Sequence, residues 1–400
     1  MKKLLVLLVA CLFVLNSVGC DNSGSTRTQN SKQAQECAAL WKLMDDFEYG
    51  KAVAYATPRF DSWKKLAEQG DPAAQTALGI CYANELATSV DLIEAMKWYR
   101  KAANAGHALA MTHIGVMYQR GGGVSQDYDK AMKWYRMAVY AGDVQAMISI
   151  GDMYDTGQGV KQDHAEAMKW YRKAADAGYT KAMRLIGSKY LVGRDVDQDY
   201  AEAMKWYRKA ADAGDTFAMR LIGEMYFDGE GVEKSDDEAM KWYKAANAGD
   251  EVAAMADIGQ KYSDRGSYLR YLRANGRGEG DEERANHYFA EAMKWFHKAA
   301  DGGSARAMVG IGLMYERGEG VEQDYIEAMK WFRKAADAEY AMAMIAISDM
   351  YRDGKGVDQD YDETLKWLRK ALDCDDGKQM VPLLEGAIKR TESMKAGAIK

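Results

Sequence analysis

The sequence predicts an all-α protein, a solenoid of stacked αα-hairpins, and three observations carry that expectation. Tryptophans stand at 98, 134, 170, 206 and 242 and again at 295, 331 and 367, each 36 residues after the last except for the step from 242 to 295. Within a period, apolar and small residues recur at helical spacing: Ala146, Ile150, Gly151 and Tyr154 fall on one face. Between the two apolar stretches, Gly157-Gln-Gly159-Val160 breaks a helix, and Asp163 with Glu166 three residues on reads as a capping box opening the next. Each period is therefore a helix–turn–helix unit. A lone unit leaves apolar surface uncovered, so the units must stack.

Taken in order, residues 1–19 read as a signal peptide. Lys2 and Lys3 precede the apolar run Leu4–Leu15, which is too short to cross a hydrocarbon core of ~30 Å as a helix. The run ends in Ser17-Val18-Gly19-Cys20, which resembles a bacterial lipoprotein signal with Cys20 as the lipidated residue, although Ser17 departs from the usual leucine. Residues 20–33 are small and polar and are expected to form a flexible tether. Asp21 resembles an inner-membrane retention signal in this setting. Residues 34–70 read as a degenerate leading unit, with Trp63 to Gly70 as its second helix.

Eight units follow over 71–375. Their departures from the pattern are specific. The first lacks the Gly-x-Gly-Val turn, the fourth has Asp195 in place of the second glycine, and the eighth has Ser348 in place of the helix glycine. The sixth carries about 17 extra residues near 265–289, including Arg270, Tyr271, Arg273 and Arg277. Insertions in solenoids loop out on one face, so this segment is expected to be either a docking element or a surface loop that extends the first helix and pairs its own charges. Residues 376–400 are expected to cap the array as a helix with Pro382 in its first turn, where proline is tolerated.

The string Ala-x-x-x-(Leu/Ile)-Gly-x-x-Tyr, then Gly-x-Gly-Val, then Asp-Tyr-x-x-Ala-x-x-Trp-Tyr-x-Lys-Ala-Ala resembles Sel1-like repeats, relatives of the tetratricopeptide repeat. The resemblance covers about three quarters of the chain. It implies a right-handed superhelix and a concave face lined by the first helix of each hairpin. By that likeness the face presents Lys181, Arg184 and Ser188, then Phe217, Arg220 and Glu224, with Arg306 further along. Three cations beside one phenylalanine would suit a carboxylate-bearing extended segment. On that reading, reversing Arg184 and Arg220 to glutamate weakens binding and leaves the fold intact.

Composition and motifs narrow the function. The chain is 48% apolar and 28% charged, which excludes wholesale disorder. The net charge of -6 becomes -8 once Lys2 and Lys3 are removed, a poor balance for nucleic acid. The Asp195-x-Asp197-x-Asp199 and Asp358-x-Asp360-x-Asp362 runs lack the glycine and glutamate of a calcium loop and read as turn and capping residues. Ser62-x-x-Lys65 has no accompanying Lys-Thr-Gly. The five histidines are scattered without metal spacing, and the tryptophans, fixed on the second helices, are expected in the core. Cys37 and Cys81 read either as a disulfide or as small buried apolar residues, with Cys374 left over. No catalytic residue, metal site or cofactor is assigned. The expectation is a lipid-anchored scaffold of a bacterial envelope, facing the periplasm, whose partners are envelope proteins or peptides. A glycan-binding accessory factor is the alternative, with a hydrolase behind it.

Overall fold

The computed structural model describes residues 24–45, 49–276, 281–374 and 376–398. All regular structure among them is helical. Three helices come first: α1 (Gly24–Asp45), α2 (Tyr49–Ala56) and, after a turn at Thr57–Arg59, α3 (Phe60–Glu68). Eight hairpins follow: α4/α5 (Pro72–Asn84, Leu92–Asn104), α6/α7 (Ala108–Arg120, Tyr128–Tyr140), α8/α9 (Gln145–Thr156, His164–Asp176), α10/α11 (Thr180–Val192, Tyr200–Asp212), α12/α13 (Thr216–Asp228, Asp236–Ala246), α14/α15 (Glu251–Ala274, Asp281–Asp301), α16/α17 (Ala305–Arg317, Tyr325–Asp337) and α18/α19 (Ala341–Asp353, Tyr361–Asp373). A short turn leads into α20 (Val381–Ala398), with Pro382 at its second position. The chain divides into two compact units, one up to Gly142 with repeats one and two, the other from Asp143 with repeats three to eight.

The expected tether at 20–33 is not what the structure has from residue 24 on. Helix α1 starts at Gly24, because Thr28 to Trp41 contains no Gly or Pro to interrupt it. It packs on α4 of the first repeat. Cys20 and residues 1–19 lie outside the described residues.

One contact explains why each hairpin closes. The glycine of the first helix sits flat against the aromatic ring that follows the tryptophan on the second. A Cβ added at Gly115 or Gly187 would stand 2.5 Å from the ring of Tyr135 or Tyr207, inside any real contact distance. Gly79, Gly151 and Gly223 meet Tyr99, Tyr171 and Tyr243, and Gly259 and Gly312 meet Phe296 and Phe332. The eighth repeat changes both partners together: Ser348 replaces the glycine and Leu368 replaces the ring, and both are buried. These rings form the core, each at most 2% exposed.

The tryptophans do not, which corrects the expectation for them. Trp98 is buried, but the other seven at the 36-residue positions are only half-buried. Lysines three residues on lie over six of the eight rings, from 3.9 Å at Lys101 over Trp98 to 4.9 Å at Lys370 over Trp367. The bulk of tryptophan suits this boundary, with one face on apolar neighbours and the other under an aliphatic stem and its ammonium.

The turns are built as expected in one half and differently in the other. Gly157 is left-handed at φ 72° and its N–H donates to Met153 O, a helix-ending arrangement. Asp163 Oδ1 accepts from Glu166 N at 2.9 Å, one arm of the capping box. The return arm is absent. Asp163 N instead donates to Tyr154 O across the hairpin, and Glu166 turns outward to pair with Lys169 at 2.8 Å. The same cross-hairpin bond recurs from Asp127, Asp199, Ser235, Asp324 and Asp360. It ties the start of each second helix to the end of the first.

The sixth repeat extends its first helix, as the second of the two expectations has it, and its second helix as well. Here α14 has 24 residues and α15 has 21, against 13 in most repeat helices. Gly266 meets the ring of Phe289, seven residues beyond Gly259 and seven before Phe296, so the glycine–ring contact is repeated one layer out. Of the four insertion residues singled out from sequence, Arg273 pairs with Glu282 across the extended hairpin. Arg270 lies over Phe289 at 4.7 Å and donates to Gly318 O at 3.0 Å. Tyr271 is exposed, and Arg277 lies outside the described residues.

Candidate partner-binding surface

The first helices of repeats four to seven carry the residues expected at the binding face. Each sits at an outward register position, set by the glycine that faces the ring. In α10, Arg184 Nε donates to Asp215 Oδ2 at 3.0 Å, and its guanidinium stacks over Phe217 of α12 at 4.9 Å. Asp215 has two tasks, since its other oxygen caps α12 by accepting from Ala218 N at 2.8 Å. Phe217 is 48% exposed, a large apolar ring left on the surface. Ser188 Oγ is within 3.0 Å of the Tyr207 hydroxyl, and Lys181 is half-buried and engaged with neighbouring groups.

Further along, three repeats meet at Asp257 of α14, which is only 8% exposed. Arg306 donates to Asp257 Oδ1 at 2.6 Å and to Ala253 O at 3.0 Å. Asn247 Nδ2 donates to Asp257 Oδ2 at 2.7 Å, and Arg220 donates to Asn247 Oδ1 at 3.0 Å while lying 4.0 Å from Asp257. Glu224 pairs with Lys261. The cations expected to wait for a carboxylate thus already bind acids of the adjoining repeat. The face is a ladder of inter-repeat ion pairs with an exposed ring beside it. A guanidinium has five N–H donors, and Arg220 and Arg306 are 45% and 44% exposed, so part of each fork still faces solvent. Charge reversal at Arg184 or Arg220 would set glutamate against Asp215 or near Asp257. The expectation that reversal spares the fold is corrected accordingly.

A second polar cluster lies at the junction of repeats three and four, and its logic is visible in the repeat register. Lys189 occupies a position that is methionine in five other repeats (Met117, Met153, Met225, Met314 and Met350). Asp195 occupies the second turn glycine and holds φ at +68°. That glycine elsewhere lies against the first residue of the preceding second helix, as Gly356 does against Tyr325. Here that residue is His164. The side chains fill the space together: Lys189 Nζ contacts Asp155 Oδ1 at 2.8 Å and Asp195 Oδ2 at 3.0 Å, while the His164 ring lies 2.9 Å from Asp155 and 3.3 Å from Asp195. Burial works to raise the Asp155 carboxyl, but its bonds to Lys189 and His164 outweigh that and hold it below the ordinary range. Asp155, His164 and Asp195 are grouped closely enough for a metal ion. The Lys189 ammonium, itself only 7% exposed, already sits on both carboxylates, so the cluster is satisfied as an ion network. Sequence reasoning singled out Asp195 but missed Lys189. The signal available was a lysine at a methionine position.

The family comparison agrees with this architecture. The Sel1 repeat family model matches residues 72–107, 108–143, 144–179, 180–215, 216–250, 253–304, 305–340 and 338–376. The chain belongs to the Sel1 repeat family. Its Sel1 units run from 72 to 376, one residue later at each end than the 71–375 read from the periods, and the sixth absorbs the insertion. Among solved structures, a Sel1 repeat protein from Oxalobacter formigenes is 30% identical, with 66% of this chain and 99% of that one covered and a TM-score of 0.42. A protective antigen of uropathogenic Escherichia coli strains with an SLR fold is 25% identical over 92% of this chain and 81% of its own, at a TM-score of 0.40. A Sel1 repeat protein from Klebsiella pneumoniae is 22% identical over 50% and 97%, at 0.35. No curated protein matches the chain. Sel1 arrays are generally non-enzymatic scaffolds suited to protein–protein contact. No helix among the described residues is long and apolar enough to cross a membrane.

Proposed function

We propose that this Sel1 array is a cell-envelope scaffold that holds an extended segment of a protein partner along the first-helix face of repeats four to seven. The observation that carries the reading is the exposed Phe217 ring under Arg184, set among guanidinium forks with donors to spare. Such a face offers an apolar anchor flanked by N–H groups that suit main-chain carbonyls and carboxylates. The envelope assignment rests on Lys2-Lys3, the Leu4–Leu15 run and Gly19-Cys20. Anchoring through a lipid on Cys20, facing the periplasm from the inner membrane as Asp21 suggests, follows from the same residues.

The glycan alternative needs open aromatic faces. The periodic tryptophans are mostly covered by lysines, which weighs toward a peptide. The experiment is affinity purification of the tagged protein from cross-linked membranes with mass spectrometry of what is retained. A short reproducible set of envelope proteins is expected. Peptidoglycan or polysaccharide in place of protein would overturn the peptide reading. Given a partner, Phe217→Ala and Arg220→Gln should each weaken it about tenfold, roughly 1.4 kcal/mol, with the array still folding cooperatively. Unaltered affinity in both would remove the proposed face.

A further inference from the structure

The position two residues after the helix glycine is a buried methionine in five repeats and a lysine in the fourth and sixth. In the first repeat it is Cys81, with no exposed surface. Helix α1 packs against the helix that carries it and buries Cys37 to 2% exposure. The two sulfurs share surroundings. The Tyr99 ring lies on Gly79, two residues before Cys81, and the Tyr99 hydroxyl is within electrostatic reach of both Cys37 and Cys81. Trp41, one turn after Cys37 on α1, meets the His113 ring at 4.5 Å, and Tyr99 stacks on that same ring at 4.8 Å, so both cysteines flank one aromatic cluster. The Tyr99 hydroxyl is buried without a hydrogen-bond partner, so no polar network fills the space between the helices there.

We propose that Cys37 and Cys81, thiols in this structure, are a disulfide site that fastens α1 covalently to the first repeat when the chain folds in oxidising surroundings. The oxidant is a disulfide-exchange partner such as glutathione disulfide. One cysteine, as thiolate, attacks the partner's S–S bond and releases one thiol. The second thiolate attacks the resulting mixed disulfide and releases the other. Two electrons pass to the partner, and the two cysteine protons end on the released thiols or in solvent. Burial pushes both thiols up to about 12, and thiolate is the reacting form. Exchange therefore belongs to folding, before α1 docks, and the closed protein holds whichever state it was folded in. The bridge would close a loop of 43 intervening residues, Ala38 to Ile80. Such a loop is long enough for substantial loss of unfolded-state freedom.

The test is refolding of the full chain in a glutathione redox buffer and, separately, in reductant. Each product is unfolded in denaturant without reductant and alkylated, and all five cysteines are mapped. The expected result is a Cys37–Cys81 cross-linked peptide pair only in the oxidised product, released by reduction, with Cys374 outside it. Oxidation should also raise the melting of the first unit by about 5 °C or more. Cys81→Met installs the residue that five other repeats accommodate, and should abolish both the cross-link and the shift. Full alkylation of Cys37 and Cys81 in the oxidised product, pairing of either with another cysteine, or a shift that survives in Cys81→Met would overturn the proposal.

Discussion

At the scale of the residue, two opposing effects meet at each ring-facing glycine. Alanine is the better helix former by about 1 kcal/mol. Yet the space is taken, and forcing a methyl into a packed core costs about 1–3 kcal/mol. Gly187→Ala should therefore destabilise the second unit, by up to about 2 kcal/mol in urea denaturation, the reverse of what propensity says. Gly187→Ser with Tyr207→Leu should recover most of the loss, because Ser348 and Leu368 already coexist in the eighth repeat. Gain of stability in the single variant would refute the packing argument. His113 offers a second test. It is buried between Tyr99 at 4.8 Å and Trp41 at 4.5 Å, and burial lowers its pKa to about 3. The unfolded ring titrates near 6.5, so stability is full above that pH and is lost as pH falls toward 3. The loss at pH 5 should be about 2 kcal/mol. His107, also lowered by burial, adds to the same window. His113→Phe should flatten the difference between pH 7 and pH 5, and an unchanged slope would count against it. The glycines and rings were readable as a periodic pair. The burial of His113 was not, because it depends on Trp41, from a helix outside the period.

At the scale of the element, helix starts were well marked by Asp and Ser, since a short acceptor side chain at that position binds the free N–H three residues on. What the glutamate does was misjudged: a cross-hairpin carbonyl had already claimed the cap's own N–H. The extension of the first helix in repeat six was legible, but not that the second helix lengthens with it. Gly266 is where Phe289 rests, so the glycine there extends a helix pair. The ion network at repeats three and four gives the test at this scale. Lys189→Met should cost about 3 kcal/mol, because it strands two carboxylates. Adding Asp195→Gly and His164→Tyr, the residues of the common pattern, should restore most of it, with Asp155 then free to turn to solvent. A triple variant no better than the single one would show that the four residues do not act together.

At the scale of the whole molecule, the 36-residue spacing identified the array but not its division at Gly142, since the spacing of Trp134 to Trp170 is the same as elsewhere. Nor did it disclose that the cations of the first-helix face are paired. A repeat pattern assigns a position outward without saying what the neighbouring repeat extends toward it. The pairing also makes a prediction. Arg306→Gln should weaken the hold between repeats six and seven by about 1–2 kcal/mol, because Asp257 is buried and loses its 2.6 Å donor. Hydrogen exchange of α14 and α16 amides would show it as faster opening at that seam, and unchanged protection would mean that Asn247 and Arg220 suffice.

The Lys189 network has a further meaning for how such an array can be rearranged. Most seams repeat one set of contacts, so a unit gained, lost or shuffled by recombination in steps of 36 residues meets a familiar neighbour. Repeat four is different. Were it exchanged with repeat five, Lys189 would meet Phe227 in place of Asp155, and Asp155 and His164 would face Met225 and Gly231. Both sides would be left with uncompensated charge, which the present order avoids. Four side chains thus write part of the order of the modules into the structure itself, matching repeat four to the repeat three that precedes it.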